Sequence, residues 1–271
     1  VEAPAPAAGL PPAAVSPRPS QPSHDAELPP WRRYAVPVPA RAGRPAVAIV
    51  IDDLGLDRKR TARAIGLQGP LSLSFLPYAN DLARQTQAAH SAGHEPMLHL
   101  PMEAESARVS PGPNALRLGL EPQEILDLLA WNLGRFGGYV GVNNHMGSRF
   151  TSNPAAMRTV LVELERRGLM FLDSRTSPHS VGYRLGVELG LPVAQRDVFL
   201  DNVLTADRVH HQLDEVERIA KRHGQAIAIG HPHDATLDAL TEWLPQLEAR
   251  GLVLVPITAL VRPPAKAQVK G

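Results

Sequence analysis

Cysteine is missing from all 271 residues. Its absence excludes disulfides, thiolate nucleophiles and Cys-type zinc sites, and leaves any bound metal to histidine and carboxylate ligands. Long apolar runs are missing as well. No window approaches the ~18 consecutive apolar residues of a membrane-spanning helix, so no span is expected in this chain. Neither sign of charge dominates: 28 Lys and Arg stand against 27 Asp and Glu, with a formal net charge of +1. No basic stripe of the kind that grips nucleic acid is present, and nucleic acid is not an expected partner. There is no glycine-rich phosphate loop and no Gly-x-Ser-x-Gly elbow, which removes support from nucleotide-binding and serine-hydrolase readings.

What is present begins with a compositional divide. Residues 1–44 are rich in Pro, Ala and Ser, from VEAPAPAAGLPPAAVSPRPSQPS onward. They lack the periodic apolar pattern needed to offset the entropy of ordering, so a flexible, partly polyproline-extended linker is expected, with Trp31 as the residue that docks it. The chain begins at Val1 rather than Met. That start suggests an upstream segment removed by processing, such as a signal peptide, or by design. A Pro/Ala-rich linker suits a domain held away from a membrane, which points to the bacterial periplasm or cell envelope. Residues 264–271 read as a flexible tail.

Residues 45–263, within a chain that is 44% hydrophobic with a mean hydropathy of −0.15, carry the folded part. Short apolar runs alternate there with helical patterns, the signature of a parallel sheet. Strands are expected at 46–51, 71–76, 96–100, 138–143, 169–173, 198–200, 226–230 and 252–257. Helices are expected at 58–66, 81–93, 122–136, 154–167, 206–223 and 235–250. Several helices close on a glycine just past their end, as at Gly93, Gly168, Gly224 and Gly251. The pattern predicts one barrel-like α/β domain, with an open doubly wound sheet as the competing architecture.

In parallel α/β architectures the loops after the C-terminal strand ends form the active face. The polar residues gather there. Asp52 and Asp53 follow the first strand, His99 and Glu103 the third, Asn144 and His145 the fourth, and Asp173, Ser174 and Arg175 the fifth. Asp201 follows the sixth, and His231 and His233 the seventh. In AIVIDDLGLD an apolar strand thus delivers two carboxylates to a mouth where imidazoles converge. Adjacent strand residues point to opposite faces, so both carboxylates reach one pocket only if the strand stops beside them, which Gly55 helps it do. A carboxylate with two imidazoles is a common ligand set for a catalytic zinc-like ion, and the remaining carboxylate would be free to act as a base.

Plainer readings compete at each position. Asp52 and Asp53 could cap the helix beginning near Arg58. His99 could be a neutral core histidine. Asp173, Arg175 and Asp201 could form a rim ion-pair network. Independent structural histidines have no reason to choose the same rim, and this joint placement favours a site. His24, His90, His210, His211 and His223 lie in the linker or on polar helix faces and are not candidates.

The combined pattern resembles the polysaccharide deacetylases, most closely their divergent branch, over roughly Pro45 to Arg262. In that family the first aspartate of a strand-end pair is the general base and the second a metal ligand. The resemblance therefore implies Asp52 as base and Asp53 as ligand. The family's Gly-His-Glu turn, leading to a strand with two metal-binding histidines four residues apart, is matched by Gly93, His94, Glu95 and His99 in AGHEPMLHLPME. The second histidine position holds Glu103 instead. His145 of VNNHMGSR is suggested as the missing imidazole, which leaves Glu103 as a ligand, a partner orienting an imidazole, or a substrate contact.

IAIGHPH resembles the family's terminal strand motif, and it implies His231 as general acid. In FLDSRTS, Asp173 would orient His231 or meet substrate, with Arg175 and Asn144 as further substrate or supporting contacts. The implied fold is a distorted (β/α)7-type barrel. The implied activity is hydrolysis of an acyl group on a carbohydrate, with a divalent metal ion, zinc being the expected one, as cofactor. The 101–120 connection would form a wall of the substrate cleft. Two other functions compete: a barrel that keeps the rim geometry but serves as a glycan-binding or regulatory module, and a metal hydrolase of another substrate class such as a phosphoester.

Overall fold

A computed structural model describes residues 28–261. Residues 1–27 of the expected linker and the whole of the expected tail, 264–271, lie outside the described residues. The strands are β1 (Ala46–Leu54), β2 (Ser72–Phe75), β3 (Glu95–Met102), β4 (Gly141–Met146), β5 (Met170–Asp173), β6 (Val193–Gln195), β7 (Val198–Phe199), β8 (Gln225–Gly230) and β9 (Val253–Leu254). The helices are α1 (Pro30–Arg33), α2 (Arg58–Ile65), α3 (Leu82–Ser91), α4 (Pro122–Leu133), α5 (Pro154–Arg166), α6 (Gly182–Leu189), α7 (Ala206–His223) and α8 (Asp234–Trp243).

All pairings between these strands are parallel. The order is β6-β5-β4-β3-β2-β1-β8-β7, and β9 joins β1 at its first two residues. The two ends of this path, β6 and β7, are separated in the chain only by Arg196 and Asp197. Because two residues span little distance, the sheet curls until both of its edges sit on one extended stretch. The domain is therefore a single α/β unit with a curled parallel sheet, a distorted barrel rather than an open doubly wound sheet.

Two apolar clusters explain the curl. In β1, Val47, Ile49 and Ile51 pack with helix residues such as Leu129, Leu213 and Leu240, whereas Ala46, Ala48 and Val50 pack with Met97, Leu172 and Ile229. The first set faces the helix layer and the second faces inward, the period-2 alternation of a strand buried on both sides. The same parity holds along β3, β4, β5 and β8, and it decides which polar residues at the strand ends can reach the inner mouth.

The described part of the expected linker, residues 28–44, does not run free. Trp31 is buried, its N–H donates to Gly168 O at 3.2 Å, and the Val36 N–H donates to Glu95 Oε1 at 3.3 Å. A buried indole and paired backbone groups supply the gain that the composition of the segment does not advertise. Two elements, β6 and α6, were not legible as such. The run GYRLGVEL carries two glycines that read as breakers, yet here they permit close packing. A Cβ on Gly182 would come within 2.9 Å of Asp173 Oδ2, and one on Gly186 within 2.9 Å of Val193.

Candidate metal centre and active site

On β1 the inward parity of Ala46, Ala48 and Val50 continues to Asp52, which is buried. Asp53 should then point at the helices. It does not, because its backbone is left-handed (φ +57°) and the β1–β2 register shifts between Ile51 and Leu54. The strand runs on to Leu54 rather than ending at the carboxylates, so a bulge, not a strand end, brings both to one mouth. A non-glycine residue in this region costs on the order of 1–3 kcal/mol and persists only where its surroundings hold it. The plainer role as caps for α2 fails: Asp57 caps that helix by accepting from the Arg60 N–H.

β3 and β4 supply the imidazoles. The register sets His99 beside Asn143 and Pro101 beside His145, and Asn143 and His145, two apart, share the inner face. Asp53 Oδ1 lies 2.8 Å from His145 Nδ1 and 3.3 Å from His99 Nε2. Both ring nitrogens stand within ion-pair distance of this buried oxygen, which has no well-aligned hydrogen bond. The other ring nitrogen of His99, Nδ1, is 2.8 Å from Asn143 Oδ1. An amide oxygen only accepts, so Nδ1 carries a proton and donates it there, which turns Nε2 toward Asp53.

One ligand-capable atom from each of Asp53, His99 and His145 lies within 4.8 Å of the others. A carboxylate oxygen and two imidazole nitrogens gathered around a common point form an arrangement that a cation can occupy once the rings are unprotonated there. The donor set fits a divalent ion.

A second group, Asp201, His231 and His233, meets the same distance test but differs in kind. Asp201 Oδ2 accepts from the His231 N–H at 2.6 Å and from the Thr236 hydroxyl at 2.8 Å, and Oδ1 is 3.0 Å from His231 Nδ1. Both Asp201 oxygens are already engaged. The pair acts as a hydrogen-bonded dyad that aims His231 Nε2 at Asp53 Oδ2, 3.9 Å away.

The electrostatics follow from this crowding. Burial pushes the Asp52 carboxyl above its usual range, opposed by His99, His231 and the Asn143 hydrogen bond. Burial also works to raise Asp53, but His145 and His99 overcome it and hold Asp53 well below the usual carboxylate range. For His231, burial disfavours the charged ring, yet Asp201, Asp52 and Asp53 outweigh it and raise the group to about 9.

The remaining expected site residues fall elsewhere. Glu103 accepts from the Leu118 N–H at 2.6 Å and from Arg149 at 3.0 Å, fastening the 101–120 connection to β4's exit loop. Asn144 accepts from the Ser174 N–H at 2.9 Å and donates to Met146 O, strapping two rim loops together. Asp173 neither orients His231 nor faces the mouth. It shares the outward parity of Phe171, and its oxygens take the Arg175 N–H, the Ser180 hydroxyl and the Tyr183 N–H at the start of α6. Asp201 holds His231 instead. Arg175 lies exposed on the rim in a left-handed conformation (φ +48°).

Two residues at the site carry roles that the sequence reading did not give them: Asn143 and Asp201. A signal for Asn143 existed, since a strand that turns His145 inward also turns inward the residue two before it, which is Asn143 and not Asn144.

Comparison with known proteins agrees with this architecture. A family model described as divergent polysaccharide deacetylase matches residues 49–261. The chain is 34% identical over 230 residues to the uncharacterized protein YibQ of Escherichia coli K12, covering 85% of this chain and 71% of that one. A crystal structure of an uncharacterized protein from Agrobacterium tumefaciens C58 is 33% identical with a TM-score of 0.82, covering 87% of this chain and 99% of the other. The catalytic domain of a peptidoglycan N-acetylglucosamine deacetylase from Eubacterium rectale is 12% identical with a TM-score of 0.52, covering 88% and 97% of the two chains. It shares the fold.

Proposed function

The chain belongs to the divergent polysaccharide deacetylase family, and from that premise we propose that it is a metal-dependent hydrolase that removes N- or O-acyl groups, such as acetyl, from a carbohydrate. One observation carries the reading: the buried Asp53 Oδ1 facing two imidazole nitrogens, with a second carboxylate and a third imidazole alongside. Asp53, His99 and His145 would hold the ion, for which zinc is our candidate. When bound, a divalent ion in such a set polarises the acyl carbonyl and lowers the pKa of an attached water to ~7.

Asp52 serves as the base. Its Oδ1 is held by the Asn143 amide at 2.8 Å, while Oδ2 stands 3.6 Å from His99 Nε2, at the mouth where a water would lose its proton. His231, raised to about 9, is an imidazolium at neutral pH and hands its proton to the departing amine or alkoxide. Asp201 keeps the ring aimed. The loops after β3, β4 and β5 line a depression of about 400 Å³ with Glu105, Ser148, Arg149, Ser152, Ser177 and His179. Its hydroxyls and charges are suited to sugar hydroxyls. The Pro/Ala-rich composition ahead of the domain supports placement in the bacterial envelope.

The test is release of acetate from N- and O-acetylated oligosaccharides by Zn²⁺-loaded protein. Asp52→Asn should keep the ion and lose roughly 10²–10⁴ in turnover. A loaded protein that binds glycan and releases no acetate would overturn the hydrolase reading in favour of a binding module. Turnover of phosphoesters alone would overturn the substrate class.

A further inference from the structure

Asn143 is fully buried on β4, and its amide makes four contacts. Oδ1 accepts from Ser74 Oγ at 2.5 Å and faces His99 Nδ1 at 2.8 Å, while Nδ2 donates to Asp52 Oδ1 at 2.8 Å and to Ser174 Oγ at 3.3 Å. The contacts agree on one orientation of the amide. Reversing it would set an amide oxygen against the Asp52 carboxylate, two acceptors with no proton between them, and would turn the NH₂ group toward His99. The amide is therefore set with Nδ2 on Asp52 and Oδ1 on His99. That in turn places a proton on His99 Nδ1 and turns Nε2 toward Asp53.

We infer that Asn143 is a positioning residue whose one amide holds the Asp52 carboxyl and the Nδ1–H of His99 together, setting His99 Nε2 toward the cation site. A single amide thus prepares the base and the ligand together. This rests on the proposed hydrolase only for its consequence in turnover; the positioning itself needs no substrate. The partner on His99 is a neutral amide where metal-ligating histidines often use a carboxylate, and the geometry gives the reason. A carboxylate at 143 could accept from His99 but could not donate to Asp52 2.8 Å away.

The experiment uses the full chain with ¹⁵N-labelled histidine, Zn²⁺ titrations by chelator competition, and thermal unfolding to check that each variant is folded. In the wild type the His99 Nδ1–H should give a resonance protected from solvent exchange, with and without Zn²⁺. Asn143→Ala should lose that protection and weaken Zn²⁺ binding by roughly 10–100-fold. Asn143→Asp keeps the acceptor, so it should retain the protected resonance and wild-type Zn²⁺ affinity to within a few-fold, yet lose turnover on acetylated oligosaccharides.

An Asn143→Ala protein with the resonance and Zn²⁺ affinity intact would overturn the inference. Should Asn143→Ala not fold, loss of both signals in the near-isosteric Asn143→Asp would do the same. A wild type that shows the resonance and its dependence on Asn143 but releases no acetate supports this inference while removing the hydrolase reading, so the two failures are distinguishable.

Discussion

The two ends of β3 use similar residue types for opposite purposes. At the N-terminal end, His94 and Glu95 are completely buried and their polar contacts are with neutral groups. His94 Nδ1 accepts from the Leu71 N–H at 3.1 Å and Nε2 donates to Ile65 O at 2.9 Å. Glu95 accepts from the Val36 N–H at 3.3 Å, from the Thr258 N–H at 3.2 Å and from the Thr258 hydroxyl. These bonds fasten the segment before the barrel and the segment after β9 to its base. Toward the C-terminal end, four residues on from Glu95, His99 faces the carboxylates of Asp52 and Asp53. Titratable groups satisfied by the backbone hold a fold together, whereas titratable groups turned on one another wait for a ligand. The Gly-His-Glu turn therefore belongs to architecture, and His99 to the site.

Substitutions at the two ends should separate cleanly. The largest effect is expected from Asp53→Ala or His99→Ala, which remove one of three ligands and should abolish stoichiometric Zn²⁺ in metal analysis while thermal unfolding still shows a folded domain. At the other end, His94→Ala orphans the Leu71 N–H and the Ile65 carbonyl and leaves a cavity. Denaturant unfolding should show a loss of roughly 3–5 kcal/mol with Zn²⁺ affinity unchanged.

Glu95 gives the comparison a pH axis. Burial, opposed by the hydrogen bonds from Thr258, Val36 and Ser72, raises its carboxyl from 4.5 to about 7. A carboxyl raised in the folded state binds its proton more tightly there, so its contribution is fully present below pH 4.5 and is lost as pH rises through 7. The wild type minus Glu95→Gln stability difference should fall by on the order of 3 kcal/mol across that window, read by urea titrations at each pH.

The smallest effect is the most pointed. Asp53→Gly relieves a left-handed non-glycine residue but removes the carboxylate that faces His145 and His99; the two effects oppose, so denaturant unfolding of the metal-free fold should change by no more than about 1 kcal/mol while Zn²⁺ binding is lost.

The fold was legible wherever local signals agreed with tertiary demands. Helix α7 coincides with its expected span because an amphipathic run ends at Gly224, whose φ of +82° is the left-handed stop that glycine supplies. The strands β1, β3 and β8 were readable as apolar runs. The pair α6 and β6 was not, because Gly182 and Gly186 serve close packing and not turns.

At the site, parity explains most of what was misread. Asp173 was placed at the mouth by its position after a strand, but it shares the outward face of Phe171. Asn144 is expected at the mouth, but His145 fixes the inward parity and turns Asn143 inward instead. Asp53 breaks parity through a bulge that no propensity announces. Glu103 stood where a ligand was expected in the strand motif, but its role as a loop fastener depends on Leu118 and Arg149, contacts that only the folded chain creates.

The central claim is that one rim cluster, and not its neighbour, is built for a cation. Anomalous diffraction at the zinc edge from crystals grown with Zn²⁺ tests it most directly. The account predicts a single peak within coordination distance of Asp53 Oδ1, His99 Nε2 and His145 Nδ1. A peak among Asp201, His231 and His233, or none at the rim, would contradict it.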